Sequence, residues 1–397
     1  MGFMRGVIFL VLVTFQNLDP TDAVAILTPP RFDHGIAGLD TDRPLIVAHR
    51  GSSGMLPEHT VAAYELAVRQ GADVLECDMC LTKDLRIVCL HESWIKSATD
   101  VESKPEFANR KTTRLVGLTH VVDNWFSVDF TLNELKTLRK KQQRSYRDKN
   151  FDLQFPIPTL QEMIDVSKNA SRVIAIHVET KDPDWVNSLD IVENANTTFE
   201  DLLVDELERN GYTEKNSPVF LQSFSLDSIE YLANRTKVPL VLLLAAFNAT
   251  DGELREWSTY MYGIGPSKSL IVYGKDPLGG SKQPIGGVSN LVARAHAHGL
   301  KVHTYTLRNE DRFLLWDYGQ DPYQEYEKLL SVGIDGMFTD FPLTMKRYLD
   351  GVYNKTAPQP TTTCPPTSGG QTLNSHISYM YYYITYAAMV ASYVNTS

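Results

Sequence analysis

Residues 45–80, LIVAHRGSSGMLPEHTVAAYELAVRQGADVLECDMC, carry the signals of one strand, one helix and a second strand in succession. The apolar run Leu45-Ile46-Val47-Ala48 predicts the first strand, and the run from Val74 to Cys80 predicts the second. Between them, Thr60 is suited to cap a helix and Gly71 marks its end. A strand, a helix and a strand in this order indicate an α/β fold with a parallel sheet.

The same alternation continues along the chain, and Thr159-Leu160-Gln161-Glu162 has the spacing of a capping box at a further helix start. Several apolar runs lack polar alternation, which is typical of strands that helices cover on both faces. The predicted strands are Leu45 to His49, Val74 to Cys80, Ile87 to His91, Val173 to Glu179, Val219 to Ser223, Val238 to Leu244, Lys301 to Tyr305 and Gly336 to Thr339. About eight such strands predict a closed (β/α)8 TIM barrel, over residues 40–350.

One charged and aromatic region, residues 92–156, interrupts the rhythm of strands and helices for about 65 residues. Loops in compact domains are rarely so long. We therefore predict an inserted cap subdomain over one end of the barrel.

Composition narrows the class of protein. Of 397 residues, 43% are apolar and 22% charged, which excludes a disordered chain, a coiled coil and a multi-span membrane protein. The formal net charge is −10, and this argues against general nucleic-acid binding, which relies on a basic surface.

The two ends differ from the middle and predict a secreted or cell-surface protein. Residues 1–25 have an apolar run and small residues at a cleavage point, as in a secretory signal; a membrane anchor or a disordered leader is the alternative. Residues 351–397 predict a Thr/Pro-rich stalk followed by a GPI-anchor signal, with an amphipathic or disordered end as the alternative. Six glycosylation sequons agree with this route: Asn169, Asn196, Asn234, Asn248, Asn354 and Asn395.

Four cysteines, Cys77, Cys80, Cys89 and Cys364, are too few to hold the fold together and allow three pairings. Cys80 and Cys89 flank a predicted turn and could form a bridge, although two buried thiols are an equal alternative.

Polar side chains follow several of the predicted strands. The first strand leads into His49-Arg50-Gly51, which places an imidazole beside a fixed cation at the face where barrel enzymes react. Glu76 and Asp78 are two residues apart and share one face of the second strand. A hard divalent cation would satisfy both carboxylates, and pairing with Lys83 or Arg86 is the structural alternative.

The next segment predicts a hairpin. A turn near Asp84-Leu85 would return the chain antiparallel and set His91 opposite Asp78, with positions 76, 78, 89 and 91 on one face.

A later strand repeats the pattern at its end. Glu179 and Lys181 face the same way, so Glu179 would add a third oxygen ligand and Lys181 a cation for a substrate anion. His177 is the rival ligand, but it lies deeper in the strand. Two histidines, three carboxylates and two cations suit a phosphodiesterase, in which imidazoles transfer protons and a metal offsets the phosphate charge.

Taken together, these segments resemble the glycerophosphodiester phosphodiesterase family, and its bacterial periplasmic branch in particular. The resemblance covers residues 44–349 in order. It rests first on His49-Arg50-Gly51, Leu56-Pro57-Glu58-His59-Thr60, Gly71-Ala72-Asp73-Val74-Leu75-Glu76-Cys77-Asp78, Leu81-Thr82-Lys83-Asp84 and Leu90-His91. It continues through Glu179-Thr180-Lys181, Leu221-Gln222-Ser223-Phe224, Gly263-Ile264-Gly265-Pro266, Val302-His303-Thr304-Tyr305-Thr306 and Phe338-Thr339-Asp340-Phe341-Pro342.

The resemblance implies a TIM barrel that hydrolyses small-molecule glycerophosphodiesters to sn-glycerol 3-phosphate and an alcohol. It implies that His49 and His91 are the acid-base pair. It also implies that Glu76, Asp78 and Glu179 bind Ca²⁺ or Mg²⁺.

The same resemblance implies roles for the side chains around the substrate. Arg50 and Lys181 would contact phosphate, and Glu58 would orient Arg50. Tyr305, and less specifically Gln222, would line the glycerol pocket. Two alternatives remain open: a lyase that forms a cyclic phosphate, and a non-catalytic cell-surface barrel.

Overall fold

The computed structural model describes residues 32–39, 41–246, 248–276 and 279–353. The predicted signal segment, the stalk and the anchor signal lie outside the described residues. Within the described ranges, no helix combines the length and the apolar character needed to cross a membrane.

Eight parallel strands form a closed barrel, because the first strand pairs with both the second and the last. The strands are β1 Leu45–Ala48, β2 Val74–Leu81, β3 Ala175–Thr180, β4 Val219–Ser223, β5 Leu240–Leu244, β6 Gly263–Pro266, β7 Lys301–Leu307 and β8 Gly336–Thr339. Nearly all of their residues are buried, since side chains fill the barrel on one face and helices cover the other. The predicted TIM barrel is confirmed.

A helix of 7 to 12 residues follows each strand and packs on the outside of the barrel. These helices are α1 Val61–Arg69, α2 Leu160–Lys168, α3 Phe199–Arg209, α4 Leu226–Ala233, α5 Asp251–Trp257, α6 Leu291–Ala297, α7 Pro322–Leu330 and α8 Pro342–Tyr353. The Thr60 hydroxyl accepts a hydrogen bond from the Ala63 N–H, and Thr159 forms a complete capping box with Glu162, so both predicted helix starts are confirmed.

Two of the strand predictions need correction. The segment Ile87–Cys89 is not one of the eight barrel strands, because it pairs antiparallel with β2 outside the closed barrel. The eighth barrel strand is β6, with the sequence Gly-Ile-Gly-Pro, which was not predicted because it contains no apolar run. Its glycines allow the neighbouring strands to pack closely against β6. A Cβ on Gly263 would lie 2.3 Å from the Lys301 carbonyl oxygen, and one on Gly265 would lie 2.6 Å from the Leu243 side chain.

The hairpin after β2 turns where predicted, with Leu85 at a φ of 55°, but its register differs by one residue. Met79 lies opposite Cys89, so Asp78 faces Leu90 rather than His91. Positions 77 and 89 therefore share the face turned away from the carboxylates, and Cys77 and Cys89 form a disulfide. Cys80 is a free, buried thiol, so both alternatives considered for Cys80 and Cys89, a bridge between them or two buried thiols, are wrong.

Between Ile87–Cys89 and α2, the chain builds short elements around a hydrophobic cluster of its own, centred on Phe107, Trp125 and Phe130. The elements are two 3₁₀ turns at Val101–Ser103 and Pro105–Arg110, a hairpin of Thr112–Val116 and Thr119–Asn124, a third turn at Ser127–Asp129 and a helix at Leu132–Leu135. This inserted segment also bonds to the loop after β1, because Gln142 Nε2 donates to the carbonyls of Ser53 and Leu56.

The remaining short elements lie in loops at the carboxyl ends of the strands. They are helices Pro183–Asn187 and Asp190–Glu193, 3₁₀ turns Lys268–Leu270, Asp311–Phe313 and Trp316–Tyr318, and a hairpin of Val272–Gly274 and Ile285–Val288.

We expect a reducing agent to lower the free energy of unfolding by about 3 kcal/mol, because the bridge closes a short loop between cysteines 12 residues apart. Denaturant unfolding with and without reductant measures the difference. Cys80→Ala should keep this sensitivity, and the double variant Cys77→Ala/Cys89→Ala should lose it. Sensitivity that persists in the double variant would contradict the assigned pairing.

Candidate active site

His49 follows β1 and points its Nδ1 atom at a carboxylate from the opposite end of the chain. Nδ1 lies 2.6 Å from Oδ1 of Asp340, which comes directly after β8. Burial lowers the pKa of His49 to about 3, and Arg50 adds to the effect while Asp340 opposes it. The imidazole is therefore neutral near neutral pH, and Nδ1 is engaged by the carboxylate.

Arg50 has a left-handed backbone, with φ at 61°, which turns its N–H toward β2. That N–H donates to Glu76 Oε2 at 2.6 Å. The guanidinium donates from Nη1 to Glu58 Oε2 at 2.9 Å, and its Nε lies 3.2 Å from Asp78 Oδ2. Burial alone would lower the pKa of Arg50, but Glu58, Asp78 and Glu76 raise it, so the side chain is a permanent cation beside the carboxylates.

The three predicted metal ligands are buried side by side. Register places Asp78 of β2 opposite Glu179 of β3, which in turn lies opposite Gln222 of β4. Burial raises the pKa of Glu179 to about 8, against the effect of Lys181 and with a further contribution from Asp78. Burial likewise raises the pKa of Glu76, reinforced by Asp78. Crowded carboxylates of this kind require cations nearby.

Lys181 supplies one of those cations. Its Nζ lies 2.9 Å from Glu179 Oε1 and 3.9 Å from Asp78 Oδ1. Burial would raise the pKa of Asp78, but Lys181, Arg50 and His91 hold it well below its usual range. Asp78 is therefore the carboxylate of the cluster that stays ionised most readily.

His59 belongs to the same cluster, although the sequence analysis gave it no role. Ligand atoms of His59, Glu76 and Asp78 lie within 4.8 Å of one another. Its Nε2 is 2.9 Å from Asp78 Oδ2, and its Nδ1 is 2.8 Å from the Tyr64 hydroxyl on α1. Both ring nitrogens are thus engaged in a side chain that has no exposed surface.

His91 lies beyond the end of the hairpin strand, so strand alternation does not fix its direction. Its Nδ1 lies 2.6 Å from Glu92 Oε1, and 27% of its side-chain surface is exposed. Partial burial, together with Arg50 and Lys181, lowers the pKa of His91. His49 and His91 thus have the same local pattern, a carboxylate on Nδ1.

One cavity of about 770 Å³ adjoins these groups, although Glu58, His59 and Asp78 are not among its described lining residues. Eight of the predicted site residues line this cavity in the described structure: His49, Arg50, Glu76, His91, Glu179, Lys181, Gln222 and Tyr305. Tyr305 donates its hydroxyl to the Leu244 carbonyl at 3.0 Å, which leaves its ring edge-on to Phe224 at a centroid distance of 5.9 Å. The cavity wall therefore combines charged groups with an aromatic pair.

His177, the rival ligand, lies apart from this cavity in the barrel interior. Its Nε2 is 3.5 Å from His303 Nδ1, and its ring stacks on Phe220 at 5.1 Å. Burial holds the pKa of His177 well below its ordinary value. The residue packs as part of the barrel filling.

Two functional candidates escaped the sequence analysis although a signal for each was present. Asp340 follows β8 directly, in the same position relative to its strand as His49. His59 lies next to Glu58 in the segment Leu56-Pro57-Glu58-His59-Thr60. A third, Arg147 of the inserted segment, donates to Asp340 Oδ2 at 2.6 Å, and its contact depends on how the segment folds back.

Comparison with known sequences finds the same family in a family model and in individual relatives. A model of the glycerophosphoryl diester phosphodiesterase family matches residues 49–344. A glycerophosphodiester phosphodiesterase of Arabidopsis thaliana is 38% identical over 331 residues, which span 78% of this chain and 87% of that protein. One from Haemophilus influenzae is 28% identical over 351 residues, 78% of this chain and 90% of its own length.

Comparison with solved structures supports the fold. A phosphodiesterase of Oleispira antarctica in complex with the product sn-glycerol-3-phosphate matches with a TM-score of 0.53 and 21% identity, over 78% of this chain and 97% of that chain. A glycerophosphodiester phosphodiesterase from Parabacteroides distasonis matches with a TM-score of 0.50 and 17% identity, over 78% and 99%.

Proposed function

The chain belongs to the glycerophosphoryl diester phosphodiesterase family, and from this premise we propose that it hydrolyses glycerophosphodiesters to sn-glycerol 3-phosphate and an alcohol. The observation that carries the proposal is the shared cavity, which brings two carboxylate-bound histidines, two cations and buried carboxylates to one place.

The phosphate would bind between Arg50 and Lys181, which both line the cavity. Each is held as a cation by the carboxylates around it, and neither depends on pH in the neutral range. A fixed guanidinium can bond two phosphate oxygens, and the ammonium adds a point charge on the other side. The anionic diester is thereby bound in spite of the net charge of −10, since local charges outweigh a screened distant surface.

The carboxylates fit a divalent metal ion. Glu76, Asp78 and Glu179 offer oxygen donors, and the raised pKa values of Glu76 and Glu179 express a crowding of negative charge that a cation would relieve. Because both nitrogens of His59 are engaged, we assign it to holding Asp78 rather than to direct ligation. An all-oxygen donor set favours Ca²⁺ or Mg²⁺, which when bound would neutralise phosphate charge.

The two histidines would divide the proton transfers. The neutral His49 accepts a proton from the water that attacks phosphorus, through the Nε2 atom that Asp340 leaves available. His91 donates a proton to the alcohol oxygen as its bond to phosphorus breaks. Asp340, the partner of His49, already pairs with Arg147 and Arg308, so it stabilises a protonated His49 less. Glu92 pairs with His91. The protonated imidazole is therefore better stabilised at His91 than at His49.

We expect EDTA to abolish turnover of glycerophosphocholine and Ca²⁺ or Mg²⁺ to restore it, because three buried carboxylates lose their counter-charge on chelation. Phosphorus NMR should show sn-glycerol 3-phosphate as the product.

Glu76→Gln and Asp78→Asn should weaken metal binding, measured by calorimetry, before they unfold the barrel. Full activity after exhaustive chelation would contradict the metal site, and a cyclic phosphate product would identify a lyase instead.

We expect His49→Ala and His91→Ala each to lower kcat on a natural diester by on the order of 10² to 10⁴, the usual range for one acid-base group. A p-nitrophenyl diester separates their roles, because p-nitrophenolate leaves without a proton. His91→Ala should recover most activity on this substrate, and His49→Ala should not. His177→Ala is the control, since its ring fills the barrel interior. A folded His177→Ala that is as impaired as His49→Ala would mean that the wrong imidazole has been assigned.

The enzyme acts, we propose, outside the cell, secreted and held by a GPI anchor. The Cys77–Cys89 disulfide supports an oxidising compartment, in agreement with the terminal sequence signals. Expression of the full chain in eukaryotic cells should yield surface enzyme that phosphatidylinositol-specific phospholipase C releases. Unlipidated protein that ends at Ser397 in the medium would contradict the anchor, and protein retaining Met1 in the cytosol would contradict secretion.

A further inference from the structure

We propose that Arg147, in the inserted segment, is a positioning residue for His49 and acts through Asp340. The inference rests on the proposed function, in which His49 transfers a proton. It makes the inserted segment part of the catalytic apparatus of the barrel.

The guanidinium of Arg147 is fixed by three acceptors from different parts of the chain. Nη2 donates to Asp340 Oδ2 at 2.6 Å, Nε donates to Glu310 Oε1 at 2.7 Å, and Nη1 donates to the Ser53 carbonyl at 3.1 Å. Only 3% of its side-chain surface is exposed. A buried guanidinium with its donors engaged in three directions has one orientation, so it defines where Asp340 lies.

Asp340 passes this constraint to the imidazole. Its Oδ2 accepts from Arg147 and, at 2.7 Å, from Arg308, and its Oδ1 faces His49 Nδ1 at 2.6 Å. A carboxylate held on both oxygens cannot rotate freely. The hydrogen-bond pattern assigns the ring proton to Nδ1, which directs Nε2 of His49 to the cavity.

Arg147 differs from Arg308 in its relation to the substrate. Arg308 lines the cavity, whereas Arg147 is absent from the described residues of the cavity wall. A change at Arg147 should therefore alter the rate of the chemical step with little effect on substrate binding. This separates a positioning role from a role in phosphate binding.

The inserted segment holds Arg147 in place by further bonds. Gln142 donates to the carbonyls of Ser53 and Leu56, and Gln143 Nε2 donates to Glu58 Oε1 at 3.0 Å. Glu58 is the carboxylate that bonds Arg50. The short stretch from Gln142 to Arg147 thus contacts the support of both His49 and Arg50.

The test compares Arg147→Met with His49→Ala and His91→Ala on a natural diester and on the p-nitrophenyl diester. We expect Arg147→Met to lower kcat about 10- to 100-fold, the range for residues that orient a reactive group, with KM changed less than about threefold. Its loss should be similar on both substrates, as for His49→Ala and unlike His91→Ala. Arg147→Lys should recover part of the rate, because it restores the charge but not the three-way geometry.

Arg114→Met is the matched control. Arg114 is also in the inserted segment, bonds Asp129 at 2.7 Å and packs over Phe126 at 4.9 Å. The Arg114 side chain is half-buried, with 31% of its surface exposed. We expect Arg114→Met to leave kcat and KM within about twofold of wild type, which would show that losing an ion-paired arginine from the inserted segment does not by itself lower the rate.

If Arg147→Met does not fold, as judged by thermal unfolding, Asp340→Asn replaces it, because the amide keeps the shape and should show the same dependence on leaving group. A folded Arg147→Met with unchanged kcat, an effect confined to KM, or a pattern that follows His91→Ala would overturn the proposal. A wild-type enzyme inactive on every glycerophosphodiester would instead refute the proposed function.

Discussion

The structure depends on keeping three carboxylates ionisable inside a protein. Glu76, Asp78 and Glu179 lie on two adjacent strands, nearly without exposure, and isolated charges in such a place would be strongly unfavourable. Arg50 and Lys181 offset part of the cost from within the same barrel mouth. The remaining negative charge is what the proposed divalent ion would offset. Such an ion would in turn attract the anionic substrate to the same carboxylates.

The barrel turns that constraint into a defined geometry. Parallel register fixes Asp78, Glu179 and Gln222 at one level across three strands, and closure between β1 and β8 sets His49 against Asp340. Residues almost 300 positions apart in the chain therefore meet at 2.6 Å. A closed ring of short strands holds these distances better than loops could, because each strand is bonded on both sides.

The sequence was sufficient for elements whose signals are local. Thr159 with Glu162 marks a helix start, and Val219–Ser223 is a strand with its predicted bounds, because side-chain caps and apolar runs act within a few residues. It failed at β6, where two glycines serve close approach to neighbouring strands and leave no apolar run. It failed again at the register of the hairpin, since a shift of one residue changes which cysteine meets Cys89 without changing the composition of either strand.

The residues of the candidate site also differ in whether a local sequence signal or a distant contact places them. His49 directly follows β1 and Glu179 lies at the end of β3, whereas Glu76 and Asp78 share one face within β2. Their strand positions and residue types were enough to propose them. Arg147 could not, because it lies in a segment without regular rhythm and meets Asp340 only through the fold of that segment. Its buried contact with a group beside His49 shows why an insertion in a barrel enzyme need not be peripheral. Where a reactive side chain sits at the mouth of the barrel, it lacks covering layers on one side, and an added segment can provide the missing support.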